Sequence, residues 1–131
     1  MAYRLSTATR NLAADAIGDD LNSGAIQIRT GSQPTNVADA ASGTLLGTLT
    51  FSATAFGAPS TGVVTAAAIT SDTSADASGT AGHARFLNVG SNIHSDADCA
   101  QGSGSVNFDN AVIVAGGVIA ISSMTITVPI S

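Results

Sequence analysis

Short stretches in which apolar and polar residues alternate fill most of the chain after Gly24, and turn-forming residues separate them. Alternation with a period of two places successive side chains on opposite faces of a strand, so this pattern predicts half-buried β-strands. Six to eight short strands joined by Gly, Pro, Asn and Ser turns are typical of an antiparallel β-sandwich or a jelly roll. Strands are expected at 25–29, 44–53, 63–70, 80–89, 105–109, 111–114 and 118–128.

Three details sharpen this expectation. The region 90–104 has no clear alternation and is predicted to be irregular. Ser122 and Ser123 interrupt the β-branched last strand and are predicted to form a β-bulge. In the second expected strand, Leu49 should lie on the face opposite to Leu46.

The N-terminal segment has helical spacing instead. Residues 5–21 predict one helix, with Ser6 or Thr7 as the N-cap and residues 22–24 as the stop. Its apolar stripe is expected to comprise Leu5, Leu12, Ala13, Ala16, Ile17 and Leu21. Such a helix either covers one end of the sheet or serves as an arm that docks on a neighbouring subunit. We therefore predict a single all-β domain with one short N-terminal helix, in which 1–23 form the arm and helix and 24–131 the β-sandwich.

The charge inventory points to assembly. All four basic residues are arginines and all nine acidic residues are aspartates, so the chain has neither lysine nor glutamate. Charged residues make up 10% of the chain, against about 25% in an average domain. A surface made of Ser, Thr, Asn, Gly and Ala packs readily against other subunits because little charge must be desolvated. The alternative is a secreted monomer with a biased composition.

Several classes of function are disfavoured. A net charge of −5 with scattered arginines argues against a nucleic-acid partner. No apolar run reaches the roughly 18 residues needed to span a membrane. The N-terminal residues do not resemble a secretory signal, so we expect synthesis and folding in the cytoplasm. The single cysteine, Cys99, excludes an internal disulfide.

Two polar segments contain residues of the types that bind metals. His94, Asp96 and Asp98 alternate along one segment, with His83 and Cys99 as further candidates, but their spacing matches no recognised site. The stretch 72–76 offers alternating oxygen ligands, yet it lacks the glycine and the distal glutamate of an EF-hand loop. We therefore predict solvated turns and no metal at either place.

No catalytic residue or cofactor is predicted. Cys99 and His94 are close in sequence, but no glycine-flanked elbow activates either as a nucleophile. There is no carboxylate pair suited to glycoside hydrolysis and no phosphate-binding glycine loop before a helix. The chain is therefore not expected to be an enzyme.

Several strand-and-turn patterns together resemble a known group of proteins. They are residues 21–34, 40–49, 56–57, 62–65 and 121–129. In these patterns the chain is similar to small virion structural proteins of tailed bacteriophages, of the head decoration (cement) or minor capsid type. The resemblance covers most of residues 20–129. Residues 83–104 depart most from the pattern, and no functional residue is carried onto them.

The resemblance implies a structural protein of the virion, assembled in the host cytoplasm, that binds the major capsid protein and stabilises the capsid lattice. It also implies a homo-oligomer, with a trimer favoured. We expect subunit contacts at Tyr3, Arg4, Leu5 and Arg10. One alternative is a collar, tail or baseplate component. Another is a non-catalytic receptor- or carbohydrate-binding module, which the absence of tryptophan and the presence of one tyrosine disfavour.

Overall fold

The computed structural model describes residues 3–100, 106–108 and 110–130. These residues form one helix, α1 (Thr7–Asp20), followed by short strands. The strands are β1 (Ala25–Arg29), β2 (Leu45–Thr50), β3 (Val63–Thr65), β4 (Gly79–Thr80), β5 (His83–Leu87), β6 (Ile93–Ala100), β7 (Val106–Phe108), β8 (Val112–Ile113) and β9 (Ile121–Thr127). The prediction of a strand-rich fold with one short N-terminal helix is confirmed.

Helix α1 begins at the predicted cap. The Ser6 hydroxyl accepts a hydrogen bond from the Thr9 N–H at 3.1 Å, which satisfies one of the free donors of the first turn. At the other end, the Leu21 N–H donates to the Gly18 carbonyl, and Ser23 turns the chain with a positive φ of 58°. The chain then enters β1 at Ala25.

The buried face of α1 differs from the predicted stripe. Its fully or largely buried positions are Arg10, Ala14 and Gly18, spaced four residues apart, whereas Leu12 is 72% exposed. The reason is close approach, since a Cβ atom at Gly18 would lie only 3.2 Å from the Cβ of Phe56. The small residues bring the helix close to the neighbouring chain, and the large Leu12 is left outside.

Seven strands form one sheet in the order β2-β1-β5-β6-β7-β9-β3, and β4 pairs with β8 separately. All neighbours in the large sheet are antiparallel except β6 and β7, which are parallel. The predicted antiparallel arrangement is therefore wrong for this pair. Residue alternation assigns side chains to faces but does not specify strand direction, so a parallel pair could not be predicted from it.

The sheet curls into a half-barrel. Its edge strand β2 bonds to the segment 70–76, where the Thr50 and Thr70 backbones pair and the Asp76 N–H donates to the Leu46 carbonyl. The same segment also pairs with the chain leading into β9, because Asp72 pairs with Ile119. The segment 70–76 thus connects the edge strand β2 with the chain that leads into β9.

The interior of the curl is apolar. Its centre is an aromatic group in which the Phe51 ring lies 5.5 Å from the Phe56 ring and 6.2 Å from the Phe86 ring. Large aliphatic side chains from most strands surround these rings. The fully buried ones are Leu21, Ile26, Ile28, Leu46, Leu49, Val64, Val106, Ile119 and Met124.

Two irregularities change which side chains point inward. The register skips Leu46 where β2 passes Ile28 and Arg29 of β1. Leu46 and Leu49 are both buried, although they were expected on opposite faces. Between β7 and β9 the register skips Ser122, which confirms the predicted bulge at this position.

The prediction that 90–104 is irregular is wrong for the described part of that region. β6 occupies Ile93–Ala100 and pairs with β5 along most of its length. Its inward side chains are small, as with Ala97, and its outward ones are polar, as with Asp96. Because β-branched and aromatic residues are absent after Ile93, the usual sequence signal of a strand is missing.

Candidate functional site

Among the described residues, no strand lies between β6 and β9 ahead of Val106, the first residue of β7. Within the described residues, β7 pairs with β6 only at Cys99 and Ala100, and with β9 only over Ile121–Met124. Further along, the first half of β6 faces the second half of β9 with no described strand between them. We call this space the β6–β9 cleft.

The cleft has a volume of about 580 Å³. Its floor is apolar, because Phe86 and Met124 are almost completely buried and Ile126 packs against the core. Its rim is polar and uncharged on the β9 side, where the Thr125 and Thr127 side chains are exposed. The remaining lining residues are Ile17, His94, Ser95, Asp96 and Ala97.

His94 contacts both the helix and its own strand at the cleft. The register between β5 and β6 shifts at this position, so His94 lies at a bulge. Its Nε2 lies 3.2 Å from the Ile17 carbonyl and 3.8 Å from an Asp20 carboxylate oxygen, while its Nδ1 lies 2.7 Å from the Ser95 hydroxyl. Because a carbonyl only accepts, Nε2 carries a hydrogen, and His94 ties the end of α1 to β6.

Asp96 is not a free charge in the cleft. Its carboxylate accepts two hydrogen bonds from Arg85 on the adjacent strand, from Nε at 2.8 Å and from Nη2 at 3.1 Å. The Asp96 side chain is 1% exposed and the Arg85 side chain 3%. The hydrogen bond from Asp96 raises the pKa of Arg85 above its usual value, although burial opposes this shift. The pair is a buried, mutually neutralising ion pair.

Arg85 also holds a loop over the outer face of the sheet. Its Nη1 donates to the Asp39 carbonyl at 2.8 Å and its Nη2 to the Val37 carbonyl at 3.2 Å. Next to it on β5, the fully buried His83 bonds through Nδ1 to the Gly31 carbonyl at 3.0 Å, and its Nε2 has no hydrogen-bond partner among the described residues. The loop 31–43 therefore covers the face formed by β1, β5 and β6.

The structure separates the residues considered as metal ligands. His94 bonds to the helix, Asp96 to Arg85, and Asp98 is exposed. In the described part of the chain no three His, Cys or Asp side chains lie close enough to hold a metal ion. The Asp72 carboxylate accepts from the backbone N–H groups of Thr48 and Ser74, so it stabilises a turn beside β2.

Cys99 is poorly placed for nucleophilic chemistry. Burial, with a smaller contribution from the Asp98 carboxylate, raises the pKa of its thiol to about 12. His94 lies five residues earlier on the same extended strand, a separation of about 16 Å. The two side chains therefore do not form the thiolate–imidazole pair that a cysteine nucleophile needs.

The four predicted contact residues occupy different environments. Tyr3 and Arg4 are exposed, Tyr3 by 81%, while Leu5 is half-buried and donates its N–H to the Ile130 carbonyl at 2.8 Å. Arg10 lies inside the fold, where it donates to the carbonyls of Val128 and Thr61, both at 2.9 Å. The Arg10 guanidinium is thus already bound within its own chain, and a contact of the other three with a second chain stays a prediction.

The cleft was not predicted from the amino-acid sequence. Its floor residues looked like ordinary core positions, and its β6 side lay in a region predicted to be irregular. The chain matches no protein-family model, no curated protein and no solved structure. None of the helices in the described residues is long and apolar enough to cross a membrane.

Proposed function

We propose that this protein is a non-catalytic structural component of a tailed bacteriophage virion that binds and stabilises the assembled capsid lattice, as a decoration or minor capsid protein. The observation that carries the proposal is the placement of the arginines. Arg10 and Arg85 are buried and Arg29 is half-buried against Gln27, which leaves Arg4 as the one exposed cationic side chain among the described residues. Contacts with other subunits would desolvate very little positive charge.

Exposed valines around one turn support an assembly role. Val112, Val114 and Val118 are each about 60% exposed, and they flank a turn closed by a hydrogen bond from the Gly117 N–H to the Val114 carbonyl. We call these three residues the valine patch. Clustered apolar side chains on a surface mark contact sites more often than scattered ones do. The valine patch is therefore our first choice for the surface that meets the major capsid protein or a second copy of this chain.

The same proposal includes a sandwich-like arrangement of the curled sheet. The edge strand β2 and the chain leading into β9 approach each other closely at Gly47, where a Cβ atom would lie 2.5 Å from Cδ1 of Ile119. This contact supports the idea that β2 and the chain leading into β9 belong to two facing layers. Two layers with a shared core would give a rigid module suited to a lattice.

The lattice would be stabilised by mass action. Each copy that binds the assembled lattice but not the free capsid subunit shifts the equilibrium towards the lattice. A homotrimer would place three copies of the valine patch around one symmetry axis. No step of this mechanism requires a catalytic group, a cofactor or a metal.

Quantitative mass spectrometry of purified virions tests the proposal. We expect the protein in amounts comparable to those of the major capsid protein. A copy number of about a dozen or fewer would instead favour the collar, tail or baseplate, whose symmetry sets low counts. Absence of the protein from purified virions would overturn the proposal.

A matched pair of variants tests the contact surface. We expect Val114→Asp to reduce the amount of protein retained on virions, because a carboxylate in the interface must be desolvated. Val89→Asp is the control, since Val89 is 74% exposed and lies outside the valine patch. Equal retention of the two variants would exclude the valine patch as the contact surface.

A further inference from the structure

We propose that the loop 31–43 is a pH-sensitive cover over the outer face of β1, β5 and β6, and that the imidazole of His83 is its sensor. The loop is closed while His83 is neutral, and it loosens when His83 gains a proton. The proposal goes beyond the proposed function, because it rests on the packing of one buried side chain and does not depend on the virion setting.

The two ring nitrogens of His83 are in different situations. Nδ1 lies 3.0 Å from the Gly31 carbonyl oxygen, and a carbonyl only accepts, so Nδ1 carries a hydrogen. In the neutral ring Nε2 therefore holds a lone pair. The His83 side chain is completely buried, and Nε2 has no hydrogen-bond partner among the described residues. Protonation would turn this lone pair into a buried, charged N–H, and burial penalises a charged group far more than a neutral polar atom.

The charged groups around His83 do not supply the missing acceptor. The titratable side chains on the elements that pack around His83 are Arg29 on β1, Arg85 on β5, Asp96 and Asp98 on β6, and Asp39 in the loop, while the segment 79–82 contributes none. Arg85 and Asp96 neutralise each other. Arg29 and Asp98 are opposite in charge and pair with His83 from the two neighbouring strands. In the described part of the chain Asp98 makes no hydrogen bond to Nε2, so a charged N–H at this position would be left without an acceptor.

The loop is the element that can yield to this cost. Its base is fixed, because the Thr30 N–H donates to the Thr44 carbonyl at 3.1 Å. Between these two residues, no backbone hydrogen bond joins 31–43 to a strand within the described residues. The loop is held instead by the side chains of Arg85 and His83, which donate to three of its carbonyl oxygens. When the loop lifts, water can reach Nε2 and accept its hydrogen, so protonation shifts the population from the closed loop to the open one.

Limited proteolysis of the full chain tests the proposal. The rate of cleavage by proteinase K within 31–43 is measured by mass spectrometry and divided by the rate for a free peptide of the same residues at the same pH. This ratio removes the pH dependence of the protease and reports the fraction of open loop. We expect the ratio to rise about tenfold from about pH 7.5 to about pH 5.5, the range in which histidine gains its charge. An unchanged ratio would overturn the proposal.

The two histidines of the chain provide a matched pair of variants. In His83→Asn the side-chain amide N–H can replace the Nδ1–H that bonds to the Gly31 carbonyl, but it gains no proton in this pH range. Its cleavage ratio should therefore be equally low at both pH values. His94→Gln changes the other histidine and should keep the tenfold rise. A rise that persists in His83→Asn would contradict the assignment of His83 as the sensor.

Imidazole NMR signals of the unchanged protein decide the question if His83→Asn does not fold. Protonation of His83 and the rise in the cleavage ratio should follow the same course with pH. A loop that loosens while His83 is still neutral would overturn the proposal. So would a loop that stays closed after His83 has been protonated.

Discussion

The two sides of β6 are built in opposite ways. On one side β6 pairs with β5, its Asp96 is held by Arg85, and the loop 31–43 covers the face. On the other side the same strand borders the cleft, where its edge is unpaired over most of its length within the described residues. We call the first of these the covered side of β6. It combines paired backbone with a neutralised buried charge, so we expect substitutions there to reduce stability most. We expect substitutions on the cleft side to change stability less.

The largest expected effect on stability comes from removing the ion pair between Arg85 and Asp96. Asp96→Asn leaves the buried Arg85 guanidinium without its counter-charge, and we expect a loss of about 3–5 kcal/mol in the free energy of unfolding. Urea denaturation followed by circular dichroism measures it. Asp98→Asn is the matched control on the same strand, because Asp98 is exposed, and it should change stability by less than about 0.5 kcal/mol. Similar losses for both variants would mean that the ion pair does not stabilise the fold.

A smaller loss of stability should follow from displacing the loop 31–43. A Cβ atom at Gly82 would lie 2.1 Å from the Gly31 carbonyl oxygen, so Gly82→Ala must push the start of the loop away from β5. We expect a loss of about 1–3 kcal/mol in thermal or urea unfolding. Gly57→Ala serves as the control, since its nearest neighbour would be 3.8 Å from the added atom. If Gly82→Ala is as stable as Gly57→Ala, the loop does not depend on this close contact.

Arg10 provides a comparison between the two buried arginines. Unlike Arg85, Arg10 binds two carbonyls and no carboxylate. Arg10→Met therefore removes two charge-assisted hydrogen bonds without leaving an opposite charge buried, and we expect a loss of about 2 kcal/mol. The exposed Arg4→Met is the control, measured by the same unfolding experiment. A loss for Arg10→Met as large as that for Asp96→Asn would contradict this difference between the two arginines.

The smallest effect concerns Cys99 on the inward face of β6. The pKa of the Cys99 thiol is raised from 9.0 to about 12. At pH 8 the fraction of Cys99 present as thiolate should therefore be about a thousandfold lower than for an unperturbed cysteine. Iodoacetamide labelling followed by mass spectrometry should therefore be slow in the native protein and fast in urea. Since the unfolded thiol ionises first, stability should fall as the pH rises above about 9. Labelling of the native protein at the rate of a free cysteine would show that the inward face of β6 is accessible to solvent at Cys99.

Local patterns predicted those parts of the fold that depend on local chemistry. Ser6 caps α1, Ala25–Arg29 form a strand, and Ser122 is a bulge, because capping, alternation and interrupted pairing all leave a signature within a few residues. Leu12 shows the limit, since its exposure follows from the close contact of Gly18 with Phe56, which lies far away in the sequence. The cleft depends on where β7 begins to pair with β6 and β9. That is a property of three strands together, and no single segment encodes it.

The placement of β9 sets the order in which the fold can be completed. This strand pairs with β3 and β7, and the Val128 carbonyl that follows it accepts the hydrogen bond from Arg10 of α1. A ribosome delivers α1 and β3 long before it delivers residues 121–128. The helix and β3 therefore lack their final partners until almost the whole of this sequence has been synthesised. A nascent chain arrested before residue 121 would expose the core residue Val64, which pairs with Ile126.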